Sequence, residues 1–226
     1  MSRQPFLPTY KDSPVMYGVE MVERLPQLAS LVGRCAANWT MVESQMALTM
    51  GSLLGVENAA SVAVFTSLRN SRAQREAIEA AAKVSLTVDL QDIFSALLNV
   101  HKSLDSQRND VIHGVWGNSE AIPDAAIWIS LQNYAVSHIA IYHREGKIQG
   151  DEHSYLMTKD LFVWPYQDIE SLIRDIISIG RAIGNFHAHL RYRDNSAGAY
   201  ALQALCAEPL IKLEIDRLNR LVQEPL

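Results

Sequence analysis

The residue types best suited to chemistry in this chain stand together in the stretch SQRNDVIHGVW, residues 106–116. Arg108 and His113 enclose four residues, Asn109 follows the arginine directly, and Gly114 follows the histidine. An imidazole can pass a proton in either direction near neutral pH. A guanidinium holds an anionic oxygen, and an amide can orient either group. Together they could move a proton beside a phosphate. The spacing alone says little, because Arg181 and His187 repeat a similar one. The elements that carry these residues must discriminate.

Apolar residues at three- and four-residue steps mark those elements as helices. Leu25, Leu28, Val32, Cys35, Trp39, Val42, Met46, Met50 and Leu53 predict a first helix over 19–54, stopped by Gly55. A second is expected over 57–86, with Phe65 and Leu68 facing inward and Arg72/Glu76 and Arg75/Glu79 as solvated ion pairs. Asp89 reads as the cap of a third, which carries Ile93, Leu97, Val100, Leu104, Val111 and Val115 and ends near 114–117. A fourth begins after Pro165 with Ile169, Leu172, Ile176, Ile183 and Leu190 on its stripe, and Gly180 and Gly184 where a neighbour can come close.

Between the third and fourth helices the period changes. AIWISL, YAVSHIAIYH and KIQGDEHSYLM alternate, and Glu145-Gly146 suits a hairpin turn, so 125–158 reads as a small antiparallel sheet. Residues 1–18, with Pro5, Pro8 and Pro14, read as an extended arm. Residues 19–193 form the main domain, and 194–226 a tail with a short helix over 210–222, suited to docking on the bundle or on a second subunit. The expected fold is mainly α: an up-and-down bundle of four to five helices with a β insertion.

Helical geometry separates the motif into two parts. Arg108 falls near the centre of the stripe of Leu97, Leu104, Val111 and Val115, and an inward guanidinium needs an acid. Glu43, within the stripe of Trp39, Met46 and Met50, is the expected partner. His113 is rotated about 140° from Arg108 but lies within about 40° of Asn109. Asn109 and His113 therefore share another face, together with Lys102 and Ser106. The arginine joins them only by bending over, or if a second subunit completes the site.

The remaining features exclude more than they assign. A net charge of −5 without a basic block argues against non-specific nucleic-acid binding, though not against a local phosphate site. Cys35 and Cys206 read as buried thiols, and no HxxxH or CxxC spacing suggests a metal. No cofactor is expected. MSRQPFLPTYKDSP lacks the apolar core of a signal peptide and no apolar run reaches membrane-spanning length, so a cytoplasmic location away from membranes is expected. His187 reads as a core histidine on the fourth helix, and His138, His143 and His153 as edge residues of the hairpin. Trp116 is expected to plug the bundle end, and Trp128 and Trp164 to pack the sheet against helices.

Arg108-Asn109-x-x-x-His113 closing a third helix at Gly114, with an inward acid on the first, resembles the HEPN superfamily (higher eukaryotes and prokaryotes nucleotide-binding domain). The resemblance covers about 19–117 and the helix after Pro165, leaving out the β insertion and the tail. It implies a helical bundle, often dimeric, and a metal-independent endoribonuclease of toxin–antitoxin or phage-defence type. His113 would be the general acid or base, Arg108 the anion stabiliser and Asn109 the orienting amide, with Glu43 and Asp110 in support. RNA would be the substrate, with a homodimer and an antitoxin or other protein as partners. The competing reading is a non-catalytic HEPN-like module that binds a protein or nucleotide, with Arg108 and Glu43 specifying helix register.

Overall fold

The computed structural model describes residues 4–5, 15–18, 20–56, 59–142 and 161–223. The fold is mainly α with one small antiparallel sheet. In chain order the elements are β1 (Gln4–Pro5), β2 (Val15–Tyr17), α1 (Met21–Arg24), α2 (Pro26–Leu53), α3 (Ala59–Ser67), α4 (Ser71–Ser85) and α5 (Val88–His113). Then follow β3 (Val115–Ser119), β4 (Ala125–Ile129), α6 (Leu131–Tyr142), β5 (Phe162–Pro165), α7 (Tyr166–Arg191), α8 (Ser196–Ala207) and α9 (Pro209–Gln223).

Local chemistry explains where the expected helices break. The first splits at Leu25, whose φ −116° and ψ 81° lie outside the α region that a following proline disfavours, and Pro26 opens α2 where its missing N–H costs nothing. The second splits before Asn70, whose side chain accepts from the Ala73 N–H at 2.7 Å and caps α4. The cap of α5 is Thr87, whose carbonyl accepts from Gln91 N at 2.9 Å, and Asp89 lies inside the first turn, where an acid suits the helix dipole. The tail holds two helices instead of one. Asn195 caps α8 by accepting from Ala197 and Gly198 N–H groups.

The strands also lie elsewhere than the alternation suggested. The sheet order is β1-β5-β4-β3-β2, antiparallel throughout, so two pieces of the N-terminal arm form its edges. AIWISL does supply β4, but its hairpin partner is β3, with Val115 opposite Ile129 and Trp116 opposite Trp128. YAVSHIAIY, residues 134–142, is helical and forms most of α6. Its helix starts at Ser130, whose Oγ accepts from Asn133 N at 3.1 Å and whose carbonyl accepts from Tyr134 N at 2.9 Å. Those capping bonds, and packing of Tyr134 on the sheet, outweigh a short alternating pattern. The expected turn at Glu145-Gly146 and the rest of the insertion to residue 158, with His143 and His153, lie outside the described residues.

The chain divides into two compact units, Met1–Ala36 with Gln107–Ile173, and Ala37–Ser106 with Arg174–Leu226. The helices α2, α5 and α7 each have residues in both. In the first unit, one face of the sheet buries Val15, Val115, Ala125, Ile127, Ile129 and Val163, with Tyr17 and Tyr134 against them. The opposite face carries Trp116, Trp128 and Trp164, all buried, with Trp116 edge-on to Trp164 at 6.2 Å. α1 packs on β3.

The second unit is built from helices alone. Phe94 of α5 stacks on Phe186 of α7 at 4.9 Å between ring centroids, and Trp39 of α2 lies against His101 of α5 at 5.0 Å. The neighbour that Gly180 and Gly184 admit is α2: a Cβ at Gly180 would stand 3.5 Å from Val42, and one at Gly184 would stand 3.3 Å from Gln45. The core histidine of α7 is not His187, which is half-buried, but His189, buried and hydrogen-bonded through Nδ1 to the Gly198 carbonyl at 3.0 Å.

Candidate functional site around the C-terminal end of α5

Arg108, Asn109, Asp110 and His113 all belong to the first unit and occupy the last two turns of α5. His113 is the final residue of the helix and is exposed, whereas the other three are half-buried. The guanidinium of Arg108 donates from Nη1 to the Asn109 side-chain oxygen at 2.9 Å. The arginine thus bends toward its neighbour's amide. Asn109 and His113, four residues apart, share one face of the helix. The same arginine charge reaches the buried Cys35 thiol of α2, where it pulls the pKa down; burial outweighs it and pushes Cys35 up to about 11.

The helix end is held by two indoles. α5 passes directly through Gly114 into β3, and the β3–β4 hairpin folds Trp128 back over it. The last four carbonyls of a helix lack helical partners. Trp128 donates from Nε1 to the Asp110 carbonyl at 2.8 Å, beside the Gly114 N–H bond to the same oxygen at 3.1 Å. Trp116 donates from Nε1 to the Val111 carbonyl at 3.2 Å. Trp116, expected as a plug of the bundle end, binds a carbonyl at the end of one helix, and Trp128 shares the task. Gly114 serves close approach, because a Cβ there would overlap the Trp128 indole. The left-handed conformation that would make a glycine a helix stop is seen at Gly55, with φ 66°, and not at Gly114.

Glu43 lies in the second unit and Arg108 in the first, so the expected pair would span the two. Within its own unit, half-buried Glu43 accepts from Trp39 Nε1 at 3.1 Å. The buried acid on α5 is Asp105, which the sequence reading passed over. Its Oδ2 accepts from Arg75 Nη1 at 2.8 Å and from Ser71 Oγ at 2.7 Å, tying α4 to α5. Arg75 thus pairs with Asp105 where Glu79 was expected, and Glu79 pairs instead with Lys83 at 2.9 Å. Arg72 and Glu76 do form the expected exposed pair at 2.7 Å. A signal for Asp105 existed: it stands four residues after His101, and both fall on the apolar stripe beside Leu97, Leu98 and Leu104.

Both cysteines are free thiols, Cys35 buried and Cys206 half-buried. Among the described residues, no three His, Cys, Asp or Glu side chains gather as metal ligands, and no helix is long and apolar enough to cross a membrane. A groove of about 390 Å³ in the second unit, lined by Asn38, Met41, Gln45, Ile177 and Arg181 among others, includes none of the residues of the motif. No family model, curated protein or solved structure matches the chain.

Proposed function

We propose that the chain is a HEPN-like, metal-independent endoribonuclease whose chemistry is carried by the last two turns of α5. The observation that supports this reading is the 2.9 Å bond from Arg108 to Asn109, which draws a half-buried guanidinium toward the face that ends in exposed His113. His113 takes the proton of a ribose 2′-hydroxyl as its oxygen attacks the adjacent phosphorus. Arg108 stabilises charge gathering on the non-bridging oxygens, and Asn109 holds the guanidinium or the phosphate in place. The bond to the 5′-oxygen breaks and that oxygen leaves with a proton, so the products are a 2′,3′-cyclic phosphate and a 5′-hydroxyl. A homodimer would bring two such sets together and supply a second imidazole for the leaving group. The same reading places the enzyme in the cytoplasm as a toxin or phage-defence effector, partnered by an antitoxin or another protein.

Purified protein incubated with a broad RNA set in EDTA tests this. Wild type should yield cyclic-phosphate ends, and His113→Ala should lower cleavage by about 100-fold or more. Because His113 is exposed, the variant should keep its fold. The −5 net charge favours the second reading, a non-catalytic module that binds a protein or nucleotide. Wild type as inert as His113→Ala across that RNA set would leave the second reading standing.

A further inference from the structure

We propose that Trp128 is a positioning residue for His113, acting through the backbone of α5; this rests on the ribonuclease reading of the same helix end. Four observations converge on it. The indole N–H of Trp128 donates to the Asp110 carbonyl at 2.8 Å. Its ring covers Gly114 so closely that no side chain fits there, and Gly114 is the residue next to His113. The ring is 4 % exposed, so the protein holds it in that place. Its cross-strand neighbour Trp116 binds the next carbonyl, that of Val111, at 3.2 Å, so two adjacent strands grip two successive carbonyls of the final turn.

A C-terminal helical turn ordinarily frays, because its last carbonyls have only water to bind. An exposed imidazole on a fraying turn samples many positions, and a general base works only within hydrogen-bond reach of its proton. The indoles restrict that freedom through the carbonyls of Asp110 and Val111. Because Trp128 acts through the Asp110 carbonyl, its effect should fall on the chemical step more than on binding. The hairpin is then part of the active apparatus, because it sets the position of the last helical turn.

The test pairs Trp128→Phe, which keeps a ring but deletes the N–H, with Ile127→Val, a destabilising change on the opposite face of the same strand. Two quantities are read on each full-length protein: RNA cleavage kinetics, and the His113 imidazole resonance, assigned by its loss in His113→Ala. Trp128→Phe should lower kcat by about tenfold or more with KM within about twofold, and should move or broaden the His113 resonance. Ile127→Val should do neither. If Trp128→Phe matches Ile127→Val in both readouts, Trp128 is merely structural and the proposal is overturned. If wild type cleaves no RNA, the ribonuclease reading fails and the resonance alone decides. A His113 signal altered by Trp128→Phe but not by Ile127→Val supports the positioning role, and an unaltered one overturns it.

Discussion

Trp128, on the second strand of a hairpin, donates its indole N–H to the main-chain carbonyl of Asp110, 18 residues earlier and one turn from the end of α5. This one bond joins the sheet to the helix that carries Arg108, Asn109 and His113. The same indole lies so close to Gly114 that a Cβ there would overlap it, which makes the glycine a steric requirement.

Gly114→Ala should therefore be destabilising although alanine is the better helix former. The added Cβ would overlap a buried ring that is itself pinned by hydrogen bonding, so relief requires backbone movement costing about 1–3 kcal/mol. Urea unfolding should show this loss. In a Trp128→Ala background the same substitution should cost much less, because the obstacle is gone. Equal costs in both backgrounds would show that the indole is not the obstacle.

Asp105 and Arg72 offer a contrast between buried and exposed ion pairs. Asp105 has 6 % of its side chain exposed and Arg75 19 %, so Asp105→Ala strands a poorly solvated guanidinium and should cost about 3 kcal/mol. Arg72 and Glu76 are 84 % and 62 % exposed, and Arg72→Ala should leave stability nearly unchanged. Chemical denaturation of the two variants measures the difference directly, and a loss for Asp105→Ala as small as that for Arg72→Ala would contradict the buried pair.

Cys35 should give the stability curve an alkaline slope. Burial pushes its thiol up to about 11 from an ordinary value of 9.0. The folded state then keeps its proton where the unfolded chain gives it up. The contribution is whole below about pH 9 and is lost as pH rises toward 11. Between those limits, wild type should lose stability more steeply than Cys35→Ala. Parallel curves would mean that the thiol is not buried in solution. Reaction with an aromatic disulfide at pH 8 should likewise be slow at Cys35 until the protein unfolds.

The stacked pair Phe94 and Phe186 should be the costliest apolar contact to break in the all-helical unit. The rings are 2 % and 0 % exposed, and Phe186→Ala leaves a cavity that costs about 3–5 kcal/mol. Thermal unfolding should show a large drop in Tm, and a change within that of a surface substitution would contradict the packing.

Much of the helical plan was legible because periodicity is local. The stripe of Leu28, Cys35, Trp39, Val42 and Met46 is buried as its spacing requires, and so are Leu97, Leu104 and Val111 on α5. The breaks at Pro26 and Asn70 were not expected, because the apolar stripes run across them, although the chemistry of each acts within a few residues. The alternation in YAVSHIAIYH misled because a short pattern fits two periods, and Ser130 with a packed Tyr134 decided between them. His187 and His189 differ by two positions, and only the docking of α8 through Gly198 makes the second the buried one.

The sequence by itself determined a mainly helical chain and placed Arg108, Asn109 and His113 at the end of one helix, because helix formation and helix faces follow from neighbours three and four residues away. Tertiary structure decided which groups those helices meet. That Asp105 binds Arg75 and Ser71 across 30 and 34 residues, and that Trp128 returns to cap Asp110, depends on chain segments brought together by folding. No local spacing encodes such partners, because a buried donor or acceptor takes whichever complementary group the packing places beside it.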